Sequence, residues 1–337
     1  MVKIQENVSL KEYNSFNIDI NCKYYANCID INQIRAVLSD ENLRREKKLI
    51  LGGGNNILFT KNFDGLVIKP NIKGISLIKE TEDSVYVKVY AGEDWDEFVD
   101  YCVKNSWYGI ENLSYIPSNV GTAPIQNIGA YGVEVKDVIK EVEAIDINTS
   151  DINTYNNQQC KFGYRNSIFK MELKNKVIIT SVIFKLSKKA DYKIHYGNLS
   201  EELEKYSEIN LSSIRQAIIS IRENKLPDPK KNGNAGSFFK NPYITKAEAN
   251  KLKKIYPDIP IYELSNNLVK IPAGWLIEKT GWKGYKENKV GVHKNQALVL
   301  VNYGNAKGED VFNLANKIQG SVNDEFNIRL SMEVNIV

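Results

Sequence analysis

The tightest constraint on folding in this sequence is a change of hydrophobic period between Val85 and Val103. Val85, Val87, Val89 and Ala91 alternate with Tyr86, Lys88 and Tyr90, the period-2 pattern of a half-buried strand. Asp94-Trp95-Asp96-Glu97 follows, with Asp94 placed to cap a helix and Glu97 to reach back. Trp95, Phe98, Val99, Cys102 and Val103 then recur at helical spacing. The chain must therefore mix strands with helices. Cys102 sits on the apolar stripe, which reads as core, not as a nucleophile.

Similar signals predict strands over 66–69, 138–147, 177–186 and 298–302, and helices over 31–38, 211–224 and 311–318. Thr245-Lys246-Ala247-Glu248 is a capping box opening a helix toward Ile255. At the C-terminal end, Phe326, Ile328, Leu330, Met332, Val334 and Ile336 share one face of an expected strand. Asn327, Arg329, Ser331, Glu333 and Asn335 share the other, so Glu333 is expected off the core. From the pattern alone, a solvated strand face explains Glu333 better than chemistry does.

The 337 residues amount to about two average domains. With 42% hydrophobic and 26% charged residues, disorder, collagen and coiled coil are excluded. The net charge is +4, and the densest basic run, Arg44 to Lys48, is broken by Glu46, so no stripe for nucleic acid is present. The 4 cysteines (Cys22, Cys28, Cys102, Cys160) form no CxxC, and the 2 histidines are His195 and His293, so neither a metal site nor a disulfide scaffold is expected. Residues 1–7 lack the apolar core of a signal peptide. Apolar stretches such as Ala297–Val301 are too short to span a bilayer. A reduced, soluble, cytoplasmic protein is expected. With so little histidine, acid–base work must fall to other side chains.

Three stretches read as more than packing. Gly52-Gly53-Gly54-Asn55-Asn56 follows the apolar Leu49–Leu51; consecutive glycines free backbone amides to cradle an anion such as a diphosphate, although a tight turn explains them equally well. The stretch is neither GxGxxG nor a P-loop. Ile116 to Gly132 is long, small and polar, suited to hydrogen-bonding a heterocycle or to forming a surface loop. Gly233 to Pro242 sets Ser237 between glycine and paired aromatics, with no hydrolase elbow and no histidine nearby in sequence. Phe162 to Ser167 adds Arg165 in a compact turn, suited to bidentate carboxylate binding or to a surface ion pair.

Together these segments resemble the UDP-N-acetylenolpyruvoylglucosamine reductase (MurB) family of peptidoglycan precursor synthesis. The matching stretches are Asn14–Phe16, Gly52–Asn56, Pro117–Val133, Phe162–Ser167, Asn224–Pro229, Gly233–Pro242, Ile271–Lys279 and Val292–Val301, in family order over nearly the whole chain. Tyr196 with its neighbours, and Tyr256 to Trp275 containing Tyr262, are similar to the first type of the family, which carries a mobile tyrosine loop. Ser15 stands where threonine is usual, and Ser331-Met332 replace a different pair before Glu333.

The resemblance implies an α+β chain with the FAD-binding fold of vanillyl-alcohol oxidase and p-cresol methylhydroxylase: two α/β FAD subdomains, 1–70 and 71–210, and a substrate-binding α+β domain, 211–324. Segment 325–337 is expected to pack with the FAD domains. FAD would be noncovalent and NADPH the co-substrate. Cofactor contacts would fall to Gly52, Gly53, Gly54, Asn55, Asn56, Pro117, Ser118, Gly121, Thr122, Gln126, Asn127, Gly129 and Ala130. Substrate contacts would fall to Tyr196, Lys225, Asn241, Tyr262 and Gln296. The substrate would be a small nucleotide sugar, and a monomer is expected. Hydride would pass from flavin N5 to C3 of the enolpyruvyl group and a proton from Ser237 to C2. Arg165 and a protonated Glu333 would hold the carboxylate. Two rival readings are a sugar or alcohol oxidase of the same fold and a non-catalytic nucleotide-sugar binder.

Overall fold

The computed structural model describes residues 2–264 and 267–337. They form two compact units, each assembled from separated stretches. The first comprises Met1–Val8, Cys22–Gly53 and Asp64–Arg222, and the second Ser9–Asn21, Gly54–Phe63 and Glu223–Val337.

The first unit carries two larger sheets and the short pair Gly129–Ala130 with Val133–Glu134. In one, the strand order is Ile4–Ser9, Asn21–Cys28, Phe63–Pro70, Lys48–Ile50. Lys48–Ile50 runs parallel to Phe63–Pro70, with Ile50 opposite Ile68. Helix Ile31–Ser39 is capped by Asp30, whose carboxylate accepts from Gln33 N at 2.8 Å. It buries Ile34, Val37 and Leu38 against Ala26, Leu66 and Ile68.

The other sheet has five antiparallel strands in the order Ile152–Asn156, Ile139–Asp146, Val177–Ser187, Ser84–Tyr90, Ile75–Glu80. Val85, Val87 and Val89 point into its core, as their alternation predicts. Helix Trp95–Lys104 is capped by Asp94, which accepts from Asp96 N and Glu97 N. Its Trp95 and Phe98 pack on Phe184 at ring separations of 6.0 and 4.9 Å. Cys102 is buried there and its thiol is held well above the ordinary range by burial, which rules out a nucleophile. Burial likewise pushes Cys28 and Cys160 up to about 12, with Asp30 adding to the effect at Cys28. All four cysteines are buried free thiols.

Helix Leu211–Lys225 starts where the third domain was expected to begin, yet it groups with the first unit as far as Arg222. Arg215 explains why: its fork binds both oxygens of Asp96 at 2.6 and 2.9 Å and reaches Asp100 at 3.2 Å.

In the second unit, Thr245 and Glu248 close the expected capping box ahead of helix Lys246–Ile255. Tyr243–Thr245, Leu268–Lys270 and Tyr262–Glu263 form one short sheet; Lys286–Glu287, Val290–Val292 and Leu300–Asn302 form another. Ser265 and Asn266, within the stretch expected to form the tyrosine loop, lie outside the described residues, as does Met1.

The expected C-terminal strand is corrected at both ends. Helix Gly308–Phe326 runs well past the expected 311–318 and takes Phe326 into its last turn. Asn327 then adopts the left-handed conformation, φ 53°, that ends a helix. Beyond it only Asn335–Ile336 forms a ladder, parallel to Ile57–Leu58, and Met332 makes a single bridge to Phe239. Ile328, Leu330 and Val334 are buried all the same, while Ile336 is exposed. Alternation reports which side is covered; a ladder also needs a neighbouring strand in register. Among the described residues no helix is long and apolar enough to cross a membrane, and no cluster of metal-ligating side chains occurs.

Candidate active site

The first unit brings the glycine turn against the polar loop. Gly52 lies so close to Thr122 that a Cβ there would sit 2.4 Å from Thr122 Cγ2. Leu51 N donates to Ile68 O at 2.9 Å, anchoring the turn to its strand. The amides of Gly52, Gly53, Gly54 and Asn55 donate to no backbone carbonyl among the described residues. These are the donors an anion needs, so the turn fits the diphosphate of a dinucleotide.

Lys69 adds a cation that the sequence reading missed. Its ammonium donates to Gly52 O at 3.1 Å. Burial lowers its pKa and neighbouring Lys73 lowers it further, a setting that favours an anion nearby. The available signal was its place at the carboxyl end of an apolar strand running parallel to the one that feeds the turn, because ligands collect at such ends.

The polar loop, 116–132, is pinned by its own side chains. Ser118 Oγ and Thr122 Oγ1 are 2.7 Å apart, and Asn119 Nδ2 donates to Gly92 O and Glu93 O at 3.1 and 3.3 Å. Gly121 is packed so tightly that a Cβ would meet Ala91 at 2.5 Å. The amides of Ser118 and Asn119 face no backbone acceptor among the described residues.

Asn127 serves its own fold. It is fully buried, donates to Gly163 O and Glu134 Oε2 at 3.0 and 2.9 Å, and accepts from Lys136 N at 3.1 Å. Gly163 opens the turn that carries Arg165, where Gly163 and Asn166 exchange two backbone bonds of 3.0 and 3.1 Å. Arg165 itself has φ 52°, and its Nη2 donates to Gly129 O at 2.7 Å. A non-glycine residue held in the left-handed region stores backbone strain, which tends to collect at functional sites. Tyr196, 54% exposed, lies over Gly132, where a Cβ would be 3.5 Å from its ring.

The second unit brings Ser237 and Glu333 together. Phe238 and Phe239 are buried, which leaves Ser237 outward-facing as their anchored neighbour. Phe238 N donates to Leu298 O at 2.8 Å, and Glu333 N donates to Phe238 O at 2.8 Å. Asn56 Nδ2 donates to the Glu333 carbonyl at 3.3 Å. Asn234 steadies the approach: its N donates to Ser15 O, and its Oδ1 accepts from Gly236 N at 3.0 Å. Gly233 is required there, because a Cβ would strike Phe16 O at 2.2 Å.

Three of the expected substrate contacts also gather in this unit. Asn241 Oδ1 accepts from Ala273 N at 2.9 Å, and Gln296 Oε1 would lie 3.3 Å from a Cβ on Gly274. Lys225 ends its helix beside Asn224, whose carbonyl accepts from Asn295 Nδ2 at 3.0 Å. Tyr262 stands apart on a short strand, exposed, with Lys270 Nζ 5.5 Å above its ring.

An amide-lined turn backed by a lysine suits the diphosphate of a dinucleotide cofactor, and the family matches define the class as an FAD-binding oxidoreductase. Residues 22–154 match the family described as FAD binding domain, and residues 228–337 match UDP-N-acetylenolpyruvoylglucosamine reductase, C-terminal domain. The chain belongs to the UDP-N-acetylenolpyruvoylglucosamine reductase family. It is 48% identical to the reductase of Flavobacterium johnsoniae over 100% of both chains, and 44% identical to that of Bacteroides fragilis over 99% of this chain and 100% of the relative. Among solved structures, the reductase from Thermus caldophilus superposes with a TM-score of 0.69 at 21% identity, covering 100% of this chain and 99% of that one. p-Cresol methylhydroxylase superposes at 0.51 and 12% identity over 96% and 84%. Both likenesses speak to fold, and they bear out the expected FAD-binding architecture.

Proposed function

We propose that this chain uses NADPH and noncovalent FAD to reduce the enolpyruvyl group of UDP-N-acetylglucosamine enolpyruvate to UDP-N-acetylmuramate, a step in peptidoglycan precursor synthesis. The observation that supports the pairing is the backbone bond from Glu333 N to Phe238 O, the residue next to Ser237. When bound, FAD would supply the redox chemistry between NADPH and C3 of the enolpyruvyl group.

The chain's own residues do the rest. The amides from Gly52 to Asn55, with Lys69 behind them, hold the diphosphate of the cofactor; Gly54, Asn56, Pro117, Ser118, Gly121, Thr122, Gln126, Gly129 and Ala130 shape its bed. Arg165 pairs with the substrate carboxylate as negative charge builds there, and Glu333 lines the same group. Ser237 gives its proton to C2. A hydroxyl is a poor acid, so the step depends on a strongly basic acceptor and a fixed geometry. Lys225, Asn241, Gln296, Tyr196 and Tyr262 bind the nucleotide-sugar diphosphate.

We assign flavin binding to 1–70 and 71–210 and substrate binding to 211–324; the FAD-binding match over 22–154 and the C-terminal-domain match over 228–337 fall on either side of residue 211. A cytoplasmic monomer is the accompanying reading. The deciding experiment mixes purified protein, NADPH and the enolpyruvyl nucleotide sugar and follows nicotinamide absorbance. Oxidation of NADPH that depends on the sugar supports the proposal, whereas oxidation that depends only on oxygen supports an oxidase.

A further inference from the structure

We infer that Asn112 is a positioning residue for Tyr196. Its fully buried side-chain amide donates to Tyr131 O at 2.8 Å and to Lys193 O at 2.7 Å. One NH2 group thus joins the end of the polar loop to a stretch of chain 81 positions away. That stretch, residues 188–198, has neither helix nor strand to fix it. Its start is tied to the Glu80–Asp83 region by Lys188 N to Asp83 O at 2.9 Å and Lys188 Nζ to Glu80 at 2.7 Å. Nearer Tyr196 the other supports include Ser200 Oγ to Ile194 O, 2.7 Å, the Tyr192 ring against Tyr108 at 6.0 Å, and the packing of Tyr192 and Ile194 on the cluster of Leu199 and Ile218. The clamp holds both sides of one contact. Tyr131 precedes Gly132, Lys193 leads to Tyr196, and Tyr196 lies over Gly132.

The chemistry of the clamp argues for placement over packing. Asn112 Oδ1 is buried and has no hydrogen-bond partner among the described residues. An unsatisfied buried acceptor is costly, and leucine would fill the space without it. What asparagine alone supplies here is a pair of donors for two carbonyls that would otherwise be orphaned. Turning the amide over would set Oδ1 against both carbonyls, so the orientation is fixed by the network.

The functional half of this inference rests on the proposed role of Tyr196 in substrate binding. Two measurements separate them, both on the FAD-loaded full chain. The first is tryptic cleavage after Lys193, the residue whose own carbonyl Asn112 holds. Asn112→Ala should speed that cut about tenfold while cuts elsewhere keep their rates, because proteolysis tracks local opening. Asn112→Ser, with one donor, should fall between and guards against an Ala variant that fails to fold. An unchanged rate after Lys193, or an equal rise at every site, overturns the clamp.

The second is a double-mutant cycle on the KM for the nucleotide sugar. Asn112→Ala should raise KM about tenfold, the scale of one lost hydrogen bond, with kcat nearly unchanged. Combined with Tyr196→Ala it should add nothing further. Multiplying effects overturn the assignment. A Tyr196→Ala enzyme with unchanged KM overturns the substrate role of Tyr196 and with it the functional half, while the tryptic rate still decides the clamp.

Discussion

Asn127 Nδ2 lies 3.0 Å from the Gly163 carbonyl, and this one bond ties the polar loop to the turn that carries Arg165. The reciprocal tie is Arg165 Nη2 to Gly129 O at 2.7 Å. Loop and turn therefore hold each other, and the guanidinium is aimed before any ligand arrives.

Asn127→Ala should strip partners from Gly163 O, Lys136 N and Glu134 at once. Gly163 O keeps Asn166 N and Glu134 Oε2 keeps Lys136 Nζ, so the group left orphaned is the Lys136 amide, and a loss of about 1–3 kcal/mol is expected in denaturant unfolding. Asn127→Asp should be worse than alanine, because it sets an acceptor against a carbonyl and a carboxylate. Wild-type stability in either variant would show that the brace carries no weight.

Gly52→Ala should weaken FAD binding, since the new Cβ meets Thr122 Cγ2 at 2.4 Å and one of the two segments must shift. Overpacking of this kind costs about 1–3 kcal/mol. Thr122→Ser removes the offending methyl and keeps the hydroxyl that bonds Asn119 O at 2.8 Å. Added to Gly52→Ala it should restore much of the affinity in a fluorescence titration of the apoprotein. Failure of that rescue would mean that Gly52 matters for another reason.

Ser237→Ala should separate the two half-reactions. NADPH should still bleach the flavin at the normal rate, while reoxidation by the nucleotide sugar should slow by about 10²–10³-fold, the scale of losing one placed donor to developing charge. Stopped-flow absorbance reads both. Normal reoxidation would remove Ser237 from the chemistry.

Glu111 gives a pH dependence. It is buried, and burial raises its carboxyl above the ordinary 4.5, against the pull of nearby backbone amides. The folded state thus holds the proton more tightly than the unfolded chain does. Its stabilising effect is complete below 4.5 and is lost as pH rises through the folded-state pKa. Glu111→Gln keeps an acceptor for Gly109 N, which now bonds Glu111 Oε2 at 2.8 Å. The variant should gain stability relative to wild type at pH 7 and not at pH 4. Equal differences at both pH values would contradict this account.

Local pattern carried much of the fold. The strand from Val85 and the helix caps at Asp94 and Thr245 depend on neighbours a few residues away, and all three were legible in the sequence. The end of the last helix was not, because Phe326 fits a strand face and a helix face equally well and only the left-handed Asn327 decides. Site residues with unusual chemistry, Ser237 and the glycine turn, stood out by composition. Lys69, Asn112 and the bracing use of Asn127 did not, since each acts through a partner 17 to 81 positions away. Glu333 belongs between these groups. Its face was visible, but its bond to Phe238 depends on two distant segments meeting.

The pairing of Ile57–Leu58 with Asn335–Ile336 has a consequence for how the chain is made. Thr60 receives its partner, the Val337 carbonyl, 277 positions later. At ribosomal speeds that interval is on the order of tens of seconds. Through that wait Ile57 and Leu58 lack their ladder partners Asn335 and Ile336. The ladder of Ile57–Leu58 is therefore completed only after nearly three hundred intervening residues have been made.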